Sequence, residues 1–234
     1  MKLLKVDVET SPHRGYFWKL FDENISLDQL EAPSRIICFA AQWHGEKKVT
    51  FRASWAGGRR AMLKTLRAML EEADAVITFN GDHFDLPRIN GELVELRLAP
   101  LPALTSIDLY KVVKKLGLAS GKLAYVAPYL KIGEKVKHEG FPLWRSVMAG
   151  DRGARGRMRK YNIQDTVLLG DLYDVLAPYM TKHPRMRDGK RGECTHCGSN
   201  RLQSRGNRYT LSFKIERLQC TGCGKWSDGR RTKL

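Results

Sequence analysis

The sequence predicts an α/β protein in which a mixed sheet is flanked by helices and a small cysteine-rich module follows. Three observations predict it. Alternating apolar stretches that suit strands come first, longer stretches with helical spacing follow, and four of the five cysteines lie close to the end. The chain has 234 residues, 42% of them hydrophobic, which suffices for one domain of ordinary size and a small appendage.

Strands and helices can be placed along the first 180 residues from their apolar spacing. The predicted strands are "LLKVDVE" (3–9), "SRIICFAAQW" (34–43), "KKVTFRA" (47–53) and "DAVITFN" (74–80). The predicted helices are "GGRRAMLKTLRAMLEEA" (57–73), one beginning near Phe84, "KLAYVAPYLKI" (122–132) and "GRMRKYNIQDTVLLGDLYDVLAPYM" (156–180). Between them, "LTSIDLYKVVKKLGL" (104–118) predicts a strand or turn that enters a helix. This order predicts a mixed sheet flanked by helices and fits several α/β folds.

The chain is strongly basic, and its charge is unevenly distributed. The formal net charge is +16, and residues 182–234 hold 14 Lys and Arg against 4 Asp and Glu. This density favours a nucleic-acid partner over a merely basic soluble surface. No apolar stretch approaches the roughly 20 residues of a membrane span, and the opening "MKLLKVDVETSP" lacks the apolar core of a signal peptide. We therefore expect a soluble cytoplasmic protein with no membrane partner.

Two CxxC pairs predict a metal site near the end of the chain. "CTHC" contains Cys194 and Cys197, "CTGC" contains Cys220 and Cys223, and a glycine follows each pair. Without an export signal, such pairs favour one tetrahedral, structural zinc over disulfides, and having two pairs makes a redox thiol pair the weaker interpretation. The module resembles a zinc ribbon. His196, inside the first pair, is not expected to be a fifth ligand.

Domain bounds follow from these patterns. We expect a main domain at 1–181, a polar, basic linker at 182–192 and the ribbon at 193–234. Alternating apolar residues predict a strand between the two pairs: Tyr209, Leu211, Phe213 and Ile215. Basic residues would let the ribbon bind nucleic acid, while docking of a protein stays open: Arg201, Arg205, Arg208, Lys214 and Arg217. The fifth cysteine, Cys38, lies in an apolar stretch and is expected to be a buried core thiol.

Two pairs of polar residues indicate a metal-dependent site. Asp7 and Glu9 are two residues apart on the first predicted strand, so both side chains project from one face. Neighbouring carboxylates repel each other unless a cation, usually a divalent one, lies between them. Tyr161 and Asp165, four residues apart on the last predicted helix, share a helix face. Each pair alone is a weak signal, because a solvated edge strand or a core tyrosine beside an exposed aspartate gives the same pattern.

Together with a third segment, these pairs resemble a known nuclease family. "VDVETSP", "FNGDHFD" and "YNIQD" follow one another in the order of the three exonuclease motifs of the DEDD superfamily. Residues 1 to about 180 resemble the proofreading domains of family B polymerases and stand-alone, phage-type exonucleases, which implies a ribonuclease-H-like fold. Tyr161 indicates the DEDDy branch, since Lys160 stands where other members carry histidine. In the second motif the family's ligand directly follows the aromatic residue, which makes Asp85 the ligand and Asp82 a helix N-cap or turn residue.

The resemblance implies a metal-dependent 3′→5′ exonuclease that releases nucleoside monophosphates. Two Mg²⁺ or Mn²⁺ ions would be held by four carboxylates: Asp7, Glu9, Asp85 and Asp165. Asp7 would bridge both ions, Glu9 and Asp165 would hold the one that activates water, and Asp85 would support the other. Tyr161 would orient the attacking water, because its ordinary pKa of about 10 makes it a poor general base at pH 7.

Single-stranded nucleic acid is the expected substrate, with DNA favoured over RNA. The resemblance places Asn80 and Phe84 at the terminal nucleotides. Cations and aromatics interleave over residues 133–160, which suits a single-strand channel, although a basic loop with aromatics packed in the core fits equally well. The channel would contain Lys135, Lys137, Trp144 and Arg145, near His138 and Phe141, with no catalytic role assigned to His138. We expect a monomer from a bacterium or from the bacterial host of a phage.

Two other functions stay open. A non-catalytic nucleic-acid-binding protein could use the same fold as a platform for the ribbon, but the presence of all four carboxylates and the tyrosine argues against it. A structure-selective endonuclease is compatible with a ribonuclease-H-like fold. The YxxxD helix favours the exonuclease.

Overall fold

The computed structural model describes residues 1–22, 24–180, 183–184 and 192–234. These residues form two compact units: Lys2–Leu172, and Tyr173–Leu234 together with Met1. Most of the expected linker, residues 182–192, lies outside the described residues, so the domain bounds remain a prediction.

The first unit is built on a mixed sheet. In chain order its strands are β1 (Leu3–Thr10), β2 (Arg14–Gly15), β3 (Leu30–Ala32), β4 (Ile36–Trp43), β5 (Val49–Ala53), β6 (Ala75–Thr78) and β7 (Thr105–Asp108). Five of them form one sheet in the order β5-β4-β1-β6-β7, in which β1 pairs antiparallel with β4 and parallel with β6. The short strands β2 and β3 form a separate antiparallel ribbon that has no counterpart among the predicted strands.

The helices of this part of the chain follow the sheet strands. They are α1 (Arg59–Glu72), α2 (Asp85–Glu95), α3 (Leu109–Val113), α4 (Leu123–Tyr129), α5 (Phe141–Met148) and α6 (Arg152–Leu176). The sequence did not predict α5, which lies within the expected channel segment. It begins after Gly140, whose φ of 73° is left-handed, and Pro142 occupies its first turn, where a missing N–H costs nothing.

Apolar clusters cover both faces of the sheet. One joins alternate residues of β1 to α1 and α2: Leu4, Val6, Val8, Leu66, Leu70, Ile89 and Leu93. The other joins β4 to α5 and α6: Ile37, Cys38, Leu143, Val147, Met158 and Tyr161. Each fully buried Leu or Ile stabilises the fold by about 1.5–3 kcal/mol relative to exposure. The predicted mixed sheet flanked by helices is confirmed, and Cys38 is fully buried as predicted.

Helix α6 packs closely against β1. A Cβ at Gly170 would lie 2.6 Å from Lys5 Nζ, so a larger residue there would require the lysine side chain to move. Lys5 Nζ donates a hydrogen bond to Gln42 Oε1 at 2.6 Å. The charged end of Lys5 is therefore satisfied inside the unit by β4, next to the close approach of α6.

The second unit contains a three-stranded antiparallel sheet. Its strands are β8 (Leu202–Tyr209), β9 (Phe213–Cys220) and β10 (Trp226–Lys233), in the order β10-β9-β8. The chain reverses between β8 and β9, where Thr210 N donates to Phe213 O at 2.9 Å and Leu211 is fully exposed. The prediction of one strand from Tyr209 to Ile215 is therefore wrong, since alternation alone does not reveal a turn. Within the described residues, no helix combines the length and apolarity needed to cross a membrane.

Candidate functional site

Strand β1 carries the first acidic pair. Asp7 and Glu9 lie opposite Ala40 and Cys38 of β4, and both keep part of their surface exposed. Val8, between them, is buried in the core. The two carboxylates therefore project from the face of β1 opposite the apolar cluster, as alternation predicts.

Helix α2 brings Asp85 to the same strand. The β1–β6 ladder runs from Leu3 to Lys5, so the N–H of Val8 is free to bond a side chain instead. Asp85 Oδ1 accepts that bond at 3.1 Å. Asp85 is the first residue of α2 and is 4% exposed, so one backbone hydrogen bond positions a buried carboxylate beside Asp7 and Glu9.

The preceding turn is organised by a residue that the sequence did not single out. Asp108, at the end of β7, accepts hydrogen bonds from Asn80 N at 2.7 Å and Asp82 N at 3.4 Å. Asn80 adopts a left-handed φ of 66° there. Asp82 Oδ1 accepts from Ser106 Oγ at 2.5 Å, and its Oδ2 pairs with Lys111 Nζ at 2.5 Å. Phe84 is the N-cap of α2, so the helix-cap interpretation of Asp82 is wrong and the turn interpretation holds.

Helix α6 contributes Tyr161 and Asp165, and Lys135 lies against both. Lys135 Nζ is 2.7 Å from Asp165 Oδ2 and 3.0 Å from the Tyr161 hydroxyl, and it stands 5.0 Å from the centre of the Tyr161 ring. The rings of His138 and Trp144 pack edge-on against Tyr161, at 4.7 and 6.1 Å between centroids. The phenol is therefore fixed by a cation and two rings.

Asn162 was also missed by the sequence reasoning. It is fully buried, and its Nδ2 donates to Asp7 Oδ2 at 2.5 Å and to Asp7 O at 3.2 Å. Its position directly after Tyr161 turns it toward β1, whereas Tyr161 and Asp165 share the adjacent face. The only signal in the sequence was that Asn162 is polar and directly follows Tyr161. The sequence alone could not show that Asn162 contacts Asp7.

Burial, together with repulsion between carboxylates at Asp7 and Glu9, raises the pKa values of the acidic residues of this site. Burial, followed by the charges of Glu9, Asp85 and Asp165, raises the pKa of Asp7 well above its usual range. Burial raises the pKa of Glu9 to about 8 and that of Asp85 to about 7. Burial also raises the pKa of Asp165, opposed by Lys135. The four carboxylates, which come from three separate segments of the chain, are therefore close enough to interact electrostatically.

The acidic site is nonetheless open. Among the described residues, no three Asp, Glu, His or Cys ligand atoms outside the cysteine module lie within 4.8 Å of one another. Asp165 Oδ1 is buried and has no hydrogen-bond partner in the described part of the chain. An unpaired buried carboxylate oxygen is costly, and a divalent cation is the partner that an acidic cluster suits.

The expected substrate-binding residues occupy different surroundings. Phe84 is 38% exposed at the start of α2, and Asn80 is partly buried in the turn before it. Lys137 is exposed, whereas Lys135 is engaged by Tyr161 and Asp165. On α5, Trp144 packs toward Tyr161 while Arg145 is exposed.

The four predicted zinc ligands converge in the second unit. The Sγ atoms of Cys194, Cys197, Cys220 and Cys223 all lie within 4.8 Å of one another. Gly198 N donates to Cys194 O at 2.9 Å and Gly224 N to Cys220 O at 2.8 Å, and both glycines have a left-handed φ of 75°. Although burial opposes it, backbone N–H groups lower the pKa of Cys220 to about 7, while burial raises that of Cys223 to about 12. Four convergent sulfurs suit a closed, structural zinc site.

Comparison with known proteins places the fold. A family model described as the RNase_H superfamily matches residues 21–177. The structure is similar to the family B DNA polymerase of the hyperthermophilic archaeon Pyrobaculum calidifontis, with a TM-score of 0.59 and 16% sequence identity. That similarity covers 76% of this chain and 25% of the polymerase chain, so this protein matches about a quarter of its relative. No curated protein matches the chain in sequence.

Proposed function

Since the chain belongs to the RNase_H superfamily, we propose that it is a metal-dependent 3′→5′ exonuclease of the DEDDy type acting on single-stranded nucleic acid, with DNA favoured. One observation carries the proposal. Asp85 on α2 accepts a hydrogen bond from Val8 N, between Asp7 and Glu9 on β1, and Asn162, next to Tyr161 on α6, donates to Asp7, which supports one site for these groups. A superfamily fold alone would not distinguish an exonuclease from other nucleases.

The carboxylates present fit divalent cations. Their pKa values are raised because they are buried close to one another, and a bound cation would relieve that repulsion. Asp7, Glu9, Asp85 and Asp165 would hold two Mg²⁺ or Mn²⁺ ions, which prefer oxygen ligands. When bound, such ions generate a nucleophile at neutral pH and neutralise the charge on the leaving oxygen.

Tyr161 acts as a hydrogen-bonding group rather than as a base. Burial, and then the negative charges of Asp165, Glu9 and Asp7, raise its pKa further above the ordinary value of 10. The phenol therefore keeps its proton at neutral pH and can orient water by a hydrogen bond. Water adds to phosphorus, the bond to the 3′-oxygen breaks, and that oxygen leaves as a hydroxyl group after gaining a proton.

Lys135 and Asn162 act through these groups. Lys135 fixes the Tyr161 hydroxyl and offsets the charge of Asp165. Asn162 fixes one oxygen of Asp7 and leaves the other available to a cation. Phe84, with its exposed ring, is placed to stack on the base at the 3′ end.

The charge of the cysteine module suits a second contact with nucleic acid, although some of its cations are engaged within the module. Arg208 pairs with Asp228 at 2.7 Å, and the Arg217 guanidinium lies 5.7 Å from the centre of the Trp226 ring. Arg201 and Lys214 are exposed. We infer that zinc would stabilise the fold of this basic surface. The alternative to nucleic acid binding is that the module docks on a protein partner.

The decisive experiment uses single-stranded DNA and RNA labelled at the 5′ end, incubated with Mg²⁺ or Mn²⁺. A ladder that shortens one nucleotide at a time from the 3′ end, and that EDTA abolishes, is the expected result. One internal cut would identify an endonuclease. Binding without cleavage under every metal condition would identify a non-catalytic binding protein.

A further inference from the structure

A cavity of about 590 Å³ lies beside the end of β1. Its wall is formed by the turn after β1, the β2–β3 ribbon, the start of β4 and one side of α5. The residues that line it, all within the described part of the chain, include four arginines and no Asp or Glu. A volume in the range of ordinary small-ligand pockets, together with this charge, suits an anionic ligand that has an apolar part.

One of the four arginines is available to a ligand. Arg35 and Arg59 pair with acidic residues of α2, and Arg14 pairs with Glu31. Arg145 is exposed, and no ion pair with it is found in residues 1–22, 24–180, 183–184 or 192–234. Arg145 is therefore the cation that a ligand phosphate would meet first.

Helix α5 connects this cavity to the acidic site. Phe141, Arg145 and Met148, spaced four and three residues apart, lie on the cavity side of the helix. Trp144 packs against the Tyr161 ring, at 6.1 Å between centroids. Since Trp144 is three residues after Phe141 and four before Met148, the side of α5 that lines the cavity also reaches the Tyr161 ring.

Strand β1 makes a second connection. Ser11 lines the cavity and lies two residues beyond Glu9, which is roughly 7 Å along an extended strand. Ser11 is fixed there, since its N–H donates to Arg35 O at 2.7 Å and its Oγ accepts from Arg35 N at 3.0 Å. A ligand in the cavity would be held close to, and not within, the acidic site.

We propose that this cavity is a subsite for single-stranded polynucleotide on the 5′ side of the scissile bond, in which one base lies against the apolar wall and its phosphate meets Arg145. The proposal rests on the proposed function and identifies how the strand is held. Exposed apolar lining residues, Pro33, Phe141 and Met148, offer a base the sequence-independent contact that single-strand proteins use.

The β2–β3 connection, whose two strands line part of the cavity, carries further aromatic residues. The segment between β2 and β3 exposes aromatic rings to solvent, with Tyr16 72%, Trp18 93% and Phe21 81% exposed. Lys19 stands among them. Exposed rings near a cation, in the segment that joins two strands lining the cavity, suit bases of a single strand.

Binding is tested first, in EDTA so that nothing is cleaved, by fluorescence anisotropy with labelled oligothymidylate. Arg145→Ala should weaken binding on the order of tenfold and reduce the slope of log K against log salt by about 0.7, the loss of one phosphate contact. Phe141→Ala should weaken it by about 5- to 150-fold through lost stacking. The matched control Lys64→Ala, which removes one exposed charge on α1, should change affinity by no more than about twofold. Equal losses in Arg145→Ala and Lys64→Ala would overturn the proposal.

Hydrolysis separates the subsite from the chemistry. The p-nitrophenyl ester of thymidine 5′-monophosphate lacks the upstream nucleotide, so Arg145→Ala should impair its hydrolysis much less than that of oligothymidylate. The same variant should raise KM for oligothymidylate by about tenfold without lowering kcat. Equal damage to both substrates would mean that Arg145 acts through Trp144 and Tyr161, which contradicts the subsite.

The two proposals fail in different ways. If the wild type cleaves neither substrate with Mg²⁺ or Mn²⁺, the proposed function fails, while the anisotropy measurements still support or overturn the cavity as a strand-binding site. A dimer in light scattering that Phe141→Ala dissociates, with oligothymidylate binding unchanged, would assign this face to a second copy of the chain and overturn the proposal.

Discussion

The cysteine cluster and the acidic cluster differ in how closely their possible metal ligands converge. Four sulfurs from two short segments converge within 4.8 Å, and backbone N–H groups and left-handed glycines hold them there. The carboxylates come from β1, α2 and α6, keep their oxygens further apart, and have Lys135 as a neighbour. A site whose ligands already converge suits a structural ion, whereas one that leaves ligand positions open suits catalysis.

The cysteine cluster is specified by local sequence, whereas the acidic cluster depends on residues that are far apart in the chain. Each CxxC pair defines half of the four-cysteine cluster within four residues, so the geometry of the cluster is set by two tight turns. The acidic site depends on residues as distant as Asp7 and Asp165, which only the folded sheet brings together. Carboxylates that share a site, two of them buried, repel one another without a cation, so an open arrangement is what electrostatics favours.

Loss of zinc should have the largest effect on this contrast. Structural zinc binding in small modules is worth about 10–16 kcal/mol at neutral pH, so Cys220→Ser should lose the metal and unfold β8–β10. Zinc content by mass spectrometry and protection from limited proteolysis would measure both. Cys38→Ala, which removes the buried thiol of β4, should keep one zinc per chain. A Cys220→Ser protein that retains a full equivalent of zinc would contradict the four-cysteine site.

The next largest effect distinguishes the two aspartates before α2. Asp85→Asn keeps the shape of the side chain but removes the charge that holds a cation, so activity should fall on the order of a thousandfold or more. Asp82→Asn loses a partly exposed pair with Lys111, worth about 0–1 kcal/mol, and should stay within about tenfold of wild type. Exonuclease rates on labelled single strands would rank them, and both proteins should melt close to wild type in EDTA. The opposite ranking would mean that the second motif is misaligned.

Elements fixed by local spacing could be predicted from the sequence. Alternation identified β1, helical spacing identified α1, and the CxxC pairs identified sulfurs that do converge. Helix α5 could not be predicted, because its eight residues contain Pro142 and Phe141 remains exposed, so the apolar pattern of the segment resembles a loop. The β2–β3 ribbon has strands of two and three residues, too short to show alternation.

The polar partners of the acidic site were beyond sequence reasoning for a different reason. Asn162 and Asp108 act through atoms far away along the chain, on Asp7 and on the turn at Asn80. A single sequence gives each of them only a local context, in which an Asn on a helix and an Asp at a strand end are ordinary. The same limit made Asp82 look like a helix cap, although its partners Ser106 and Lys111 lie elsewhere.

Tyr161→Phe should have an intermediate effect on the acidic site. Removing one orienting hydrogen bond costs about 1–3 kcal/mol, or roughly 5- to 150-fold in rate. Phenylalanine keeps the ring contacts with His138 and Trp144, so the protein should remain folded. Steady-state rates would be compared with those of Tyr125→Phe, which alters a tyrosine stacked on Tyr129 and should have no effect. A loss as large as that of Asp85→Asn would assign the phenol a larger role than orientation.

The smallest effect concerns the stability of the metal-free protein as the pH changes. The pKa of Glu9 is raised from an ordinary 4.5 to about 8 and that of Asp85 from 3.8 to about 7, chiefly by burial. Between the ordinary and the raised pKa values, the folded protein binds more protons than the unfolded chain, so stability falls as pH rises. In EDTA the melting temperature should therefore decrease between pH 5 and pH 8, and Mn²⁺ should raise it more at pH 8 than at pH 5.

Glu9→Gln removes one of these groups and should make the decrease with pH shallower, whereas Glu46→Gln, an exposed glutamate after β4, should leave it as in wild type. The cysteine module is unchanged in both variants, so a difference between them reports on the acidic site alone. If Glu9→Gln and wild type showed the same pH dependence in EDTA, the pKa of Glu9 would not be raised in the folded protein. The two metal sites would then differ only in how closely their ligand atoms converge.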